Sequence, residues 1–108
     1  MVFPFSTAGK HPFADLDQVI HAPARLMVIS YLYVVESVDY VYLVNLTGLT
    51  WGNLATHLNK LEEAGYVEII KSFKGKKPHS AIRLTDAGRS SFEDYITLMQ
   101  CVINNIAE

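Results

Sequence analysis

The stretch that decides the fold is LTGLTWGNLATHLNKLEEAGYV, residues 46–67. Leu54, Leu58 and Leu61 are spaced by four and then three residues, the interval that brings side chains onto one side of an α-helix. Thr50 precedes that pattern with a hydroxyl able to accept from the free backbone N–H groups of the first turn. Gly65 follows it and readily takes the left-handed conformation that ends helices. The spacing therefore predicts a helix over about residues 50–64, with Thr47-Gly48-Leu49 as the turn leading into it. If the three leucines face inward, Gly52, Asn53, Thr56, His57 and Lys60 face outward.

Upstream, Tyr40 to Leu46 reads as a short helix, although its β-branched content leaves a strand open. Glu36 to Asp39 reads as a connector. Pro23 suits the first position of a helix running to about Val35, whose Leu26, Ile29, Leu32 and Tyr33 wrap much of its surface. Phe13, Leu16, Val19 and Ile20 also have helical spacing, and residues 1–12 read as an irregular arm. Downstream, Tyr66 to Phe73 alternates as a half-buried strand with Val67, Ile69 and Phe73 on one face. Lys74 to Pro78 forms a turn and His79 to Thr85 a return strand. Thr85 can cap a last helix from Asp86, along which Phe92, Tyr95, Ile96, Met99, Val102, Ile103 and Ile106 form an apolar stripe.

The chain has 108 residues and a formal net charge of −2, half of its residues being hydrophobic. That is one domain's worth of core. The average conceals a strong asymmetry. Between Ile69 and Thr85 lie five basic residues, Lys71, Lys74, Lys76, Lys77 and Arg83, and no acidic ones. The rest of the chain has four basic residues against eleven acidic, a balance of −7. A basic hairpin on an acidic body suits phosphate contact, with an affinity that falls as salt rises.

Catalytic and metal chemistry find no support. There is no Gly-rich phosphate loop, no His-Glu-x-x-His and no nucleophile elbow. His11, His21, His57 and His79 share no metal-ligand spacing, and the single Cys101 gives neither a disulfide framework nor a cysteine zinc site. No cofactor is expected. Without a membrane span or a signal pattern, a cytoplasmic location is expected.

The pairing of HLNKLEEAGYV (residues 57–67) with RLTDAG (residues 83–88) resembles the MarR/ArsR-type winged helix-turn-helix transcription regulators. It is most similar to their small single-domain branch, over roughly residues 23–95. The resemblance implies a mainly α fold with a small β-hairpin: a three-helix core plus a wing, with N- and C-terminal dimerisation helices. The expected division is an arm over 1–12, the winged helix-turn-helix domain over 13–85 and a C-terminal dimerisation helix over 86–108.

It also implies a sequence-specific DNA-binding regulator, a homodimeric repressor by family habit. The helix at 50–64 would enter the major groove with Thr50, Gly52, Asn53, Thr56, His57 and Lys60. The wing, 71–83, would hold the backbone or minor groove with Lys71, Lys74, Lys76, Lys77 and Arg83. Double-stranded DNA, a second copy of the chain and a small-molecule effector are the partners this implies.

Two residues depart from the family pattern. Relatives often have a basic residue where this chain has Thr56, and usually a polar one where it has Trp51. A tryptophan there is either a wedge under the helix or an exposed apolar group suited to a protein partner. The alternative reading is thus a winged-helix protein-interaction module using Trp51 with the face around Tyr40 and Tyr42. Burial of Trp51, with the outward face of the helix aligned with the wing lysines as one positive surface, would favour DNA, and exposure in an apolar patch would favour a protein.

Overall fold

The computed structural model describes residues 15–107, with side chains through Asn105. The expected arm, Phe13 and the Ile106 side chain lie outside what it describes. The elements run α1 (Pro23–Val34), β1 (Ser37–Asp39), α2 (Tyr40–Thr47), α3 (Trp51–Glu63), β2 (Val67–Lys74), β3 (Lys77–Leu84) and α4 (Asp86–Ala107).

Pro23 opens α1 without a side-chain cap, its missing N–H being one that would go unpaired there in any case. Asp39 caps α2 by accepting from the Tyr42 N–H at 2.7 Å. Thr50 does the same for α3, accepting from the Asn53 N–H at 3.1 Å. Gly48, at φ +72°, turns the chain between α2 and α3. Of the two readings open for residues 40–46, the helix is the one that forms. Local capping at both ends decides it over β-branched content.

α3 ends in a Schellman motif: the Tyr66 N–H reaches the Leu61 carbonyl and the Gly65 N–H the Glu62 carbonyl, each at 2.9 Å. The RLTDAG segment then closes on this corner. The Thr85 N–H donates to the Tyr66 carbonyl at 3.0 Å and its hydroxyl to the Gly65 carbonyl at 2.6 Å. The same hydroxyl accepts from the Gly88 N–H at 3.0 Å, capping α4. A Cβ at Gly88 would lie 2.1 Å from the Tyr66 carbonyl oxygen, so only glycine lets α4 start this close. The two motifs are therefore two sides of one joint.

β2 and β3 pair antiparallel from Val67↔Leu84 to Lys74↔Lys77. The turn is shorter than expected: only Gly75, at φ +64°, and Lys76 separate the strands. The expected connector is also corrected, because Ser37–Asp39 forms a third strand on the other edge of β3, in the order β1-β3-β2. The sheet is therefore larger than a hairpin.

Two further expectations fail locally. Residues 16–22 form bends and turns rather than a helix, although Leu16 and Ile20 are buried as their spacing suggested. Asp17 holds this segment, accepting from the Val19 N–H at 2.9 Å and from the Tyr66 hydroxyl. Phe73, placed by alternation on the inward face, is 73% exposed, because the hairpin has by then run past the core.

The core collects Val28, Ile29 and Leu32 of α1, Leu43 of α2, the three α3 leucines, Val67, Ile82, Leu84, and Phe92 and Tyr95 of α4. α1 and α4 are tied by the Tyr33 hydroxyl donating to Glu93 at 2.7 Å and by Arg89 lying 4.7 Å from the Tyr33 ring centroid.

Candidate nucleic-acid interface

Leu54, Leu58 and Leu61 are essentially inaccessible and anchor α3 to the core, each burial contributing roughly 1.5–3 kcal/mol. The opposite side is thereby held open. Gly52, Asn53, Thr56 and Lys60 are exposed there, as is Thr50 at the cap. Thr56 donates its hydroxyl to the Gly52 carbonyl at 3.0 Å, leaving its methyl group and oxygen lone pairs for a ligand. Asn59 is also exposed and was missed, although a helical projection away from the three leucines would have found it. From Trp51 to Lys60 the helix has no acidic residue; Glu62 and Glu63 come only in its last turn.

His57 is half-buried rather than fully outward. Its Nδ1 lies 3.4 Å from Nη1 of Arg25, whose Nε donates to the Val19 carbonyl at 2.6 Å. A guanidinium only donates, so Nδ1 accepts and the ring proton resides on Nε2. Burial first, then the charges of Arg25 and Lys60, hold the His57 pKa below its ordinary value. At neutral pH the ring is thus an uncharged donor through Nε2.

The five basic hairpin residues do not form one cluster. Lys74, Lys76 and Lys77 gather at the exposed tip around Gly75. Lys71 sits midway, on a groove it lines with Ala55, Asn59 and Glu62 of α3 and Ser80 of β3. Arg83 lies six residues from Lys77, about 20 Å along the strand. There its guanidinium donates to Glu68 at 2.6 Å, an ion pair that raises the Arg83 pKa and neutralises much of its charge. Among the described residues the other four expected wing cations form no ion pair, and three of them share the tip.

Trp51 is 56% exposed. Its ring stacks on Tyr40, with centroids 5.0 Å apart and planes 13° from parallel. The Tyr40 hydroxyl donates to the Trp51 carbonyl at 2.6 Å. The pair lines a groove with Asp39 and Val41 on one side and Pro78, His79 and Ser80 of β3 on the other. This groove and the one at Lys71 make the start of α3 and the hairpin one continuous surface. The protein-interaction reading already groups Tyr40 with Trp51, but the stack between the rings and the Tyr40 hydroxyl's bond to the Trp51 carbonyl had no sequence signal.

Residues 24–103 match the family model described as a winged helix DNA-binding domain. The chain belongs to that family. This winged helix domain is 37% identical over 79 residues to the uncharacterized protein MJ0432 of Methanocaldococcus jannaschii, an alignment covering 73% of this chain and 86% of that one. Its fold superposes with a TM-score of 0.82 on a transcriptional regulator homologue from Pyrococcus horikoshii, at 22% identity, covering 88% and 96% of the two chains. It matches NadR, solved in complex with 4-hydroxyphenylacetate, with a TM-score of 0.67 at 20% identity, covering 88% of this chain and 67% of that one. A MarR-family regulator from Silicibacter pomeroyi gives 0.62 at 17% identity, over 82% and 58%.

The family is one of DNA binding rather than catalysis, and in its winged helix frame α2 and α3 form the helix-turn-helix and β2–β3 the wing. Among the described residues no group of three or more His, Cys, Asp or Glu side chains could hold a metal ion. None of the helices there is long and apolar enough to cross a membrane.

Proposed function

We propose that this winged helix domain is a sequence-specific, homodimeric transcription regulator that represses by occupying promoter DNA in the cytoplasm. The observation that carries the proposal is the continuity of α3 with the wing: an α3 face with no acidic residue before Glu62 leads across the grooves at Trp51 and Lys71, where Asp39 and Glu62 are the carboxylates among the described lining residues, to a tip bearing three lysines. α3 enters the major groove and Asn53 pairs with adenine. Thr56 and Asn59 touch base edges, while Thr50 and Lys60 approach phosphates and Gly52 lets the backbone come close. His57 donates from Nε2 to a base or phosphate acceptor. Lys71, Lys74, Lys76 and Lys77 neutralise phosphates, and Arg83 contributes least because Glu68 already holds it.

α4 supplies the dimer contact in this proposal. Phe92 and Tyr95 belong to the chain's own core and Val102 is buried, so the intermolecular part of the stripe is reduced to Ile96, 37% exposed, and Ile103, 56% exposed, with Met99 at its edge. A small-molecule effector belongs to the proposal, in line with the 4-hydroxyphenylacetate complex of NadR, but the groove between α4 and the N-terminal turn does not suit an anionic one. Asp15, Asp17 and Asp94 line that groove and would repel a carboxylate.

The test is a titration of the full chain against genomic fragments, its own promoter included, at several salt concentrations. Preferential binding to a subset of fragments at low salt is expected. Equal affinity for all fragments would refute sequence-specific regulation. One observation favours the protein-interaction reading, namely the exposure of Trp51 beside Val41 and Tyr42, each 52% exposed. That reading predicts no preference among fragments.

A further inference from the structure

We propose that the stacked Tyr40–Trp51 pair is a specificity element of the DNA interface, with the Trp51 indole packing against thymine 5-methyl groups at one edge of each half-site. The inference rests on the DNA-binding reading above and extends it to a residue outside the polar set.

Trp51 is the first residue of α3, beside Gly52 and Asn53, in the half of the helix that approaches bases. Its exposure is not that of a loose side chain. The ring is held by the Tyr40 stack and its own carbonyl by the Tyr40 hydroxyl, so indole and backbone are fixed together. A ring already ordered loses little conformational freedom when something packs on it.

What the ring can meet is limited by its surroundings. Toward β3 its groove is walled by Pro78, His79 and Ser80, one residue beyond Lys77 and the lysine-bearing tip. Along α3 there is no acidic residue before Glu62. Asp39, the one carboxylate among the described residues lining the groove, is engaged in capping α2, where the helix N-terminus offsets its charge. The site therefore calls for a ligand that is anionic on the wing side and apolar at the ring. A DNA groove edge carries both, since phosphates flank base edges whose one apolar substituent is the thymine methyl group.

The experiment uses the full chain and a duplex recovered by selection from random DNA, with each thymine replaced in turn by deoxyuridine, which removes only the methyl group. At one or two positions per half-site the replacement is expected to weaken binding by the wild-type chain about fourfold, the ratio for losing burial of one methyl-sized group. Trp51→Ala should bind the thymine duplex less well and no longer distinguish it from the uracil duplex at those positions. Trp51→Phe should retain part of the discrimination. The deoxyuridine scan on the unmodified chain needs no variant to fold, and thermal unfolding checks the two that are made.

Tight binding to the selected duplex with no position sensitive to deoxyuridine, or with the sensitivity intact in Trp51→Ala, would overturn this proposal alone. Failure to recover any preferred duplex would overturn the DNA-binding reading as well and would assign the Trp51 surface to a protein partner.

Discussion

His57 and Arg25 stand 32 residues apart, and their 3.4 Å approach converts a nominal surface histidine into a neutral, oriented donor. The four-and-three spacing of the leucines located α3's open side, but it could not reveal which neighbour would cover part of that side. The same limit applies to Trp51, whose two alternatives were a buried wedge and a free apolar group. It is exposed yet fixed, because Tyr40 at the start of another helix supplies a ring and a hydroxyl. A pH dependence follows for His57. Folding lowers its pKa below the ordinary 6.5, so under more acidic conditions the unfolded chain binds more protons there than the folded one. The stability linked to His57 is complete above that pH and is lost as the pH falls through 6.5 and below. Urea unfolding midpoints should therefore drop on acidification by less in His57→Gln than in the wild type. An identical drop in the two proteins would remove His57 from the linkage.

At the level of elements, α3 was legible because both of its ends carry chemistry that acts within a few residues, the Thr50 hydroxyl and the left-handed Gly65. α4 was legible for the same reason at Thr85. β1 was not, since three residues are too few to display alternation and their pairing partners on β3 lie more than 40 positions away. The wing was legible as a basic hairpin, but its strand register was needed to separate Arg83 from the tip. That separation predicts unequal effects. Replacing Lys74, Lys76 and Lys77 together by Gln should weaken DNA binding and flatten the dependence of log affinity on log salt by up to about 2.7 per protomer, at roughly 0.9 per phosphate contact. Arg83→Gln should change that slope by less than one contact's worth. Because the three lysines are exposed, urea unfolding should be nearly unaffected by their replacement. A triple variant with the wild-type salt slope would place the wing away from phosphate.

For the molecule as a whole, the proposed DNA reading divides the labour of binding between α3 and the basic hairpin tip. α3 is polar and nearly uncharged along its open side, so in that reading it discriminates more than it attracts and the wing provides most of the electrostatic affinity. α4 spans about 33 Å at the helical rise. Its apolar stripe serves two masters: Phe92 and Tyr95 complete the core, and Ile96 and Ile103 stay at the surface. Changing both isoleucines to Asp should shift sedimentation from dimer to monomer while the fold persists, as read by circular dichroism. A wild-type chain that sediments as a monomer at micromolar concentration would refute the dimer.

The joint claim, that α3 reads sequence and a two-fold pair of such helices sets the spacing, is tested most directly by selecting bound duplexes from random DNA. The account predicts an enriched, nearly palindromic site with half-sites about 10 base pairs, or a multiple of that, between centres. Recovery of duplexes with no shared motif, under salt low enough for binding to be measured, would contradict it.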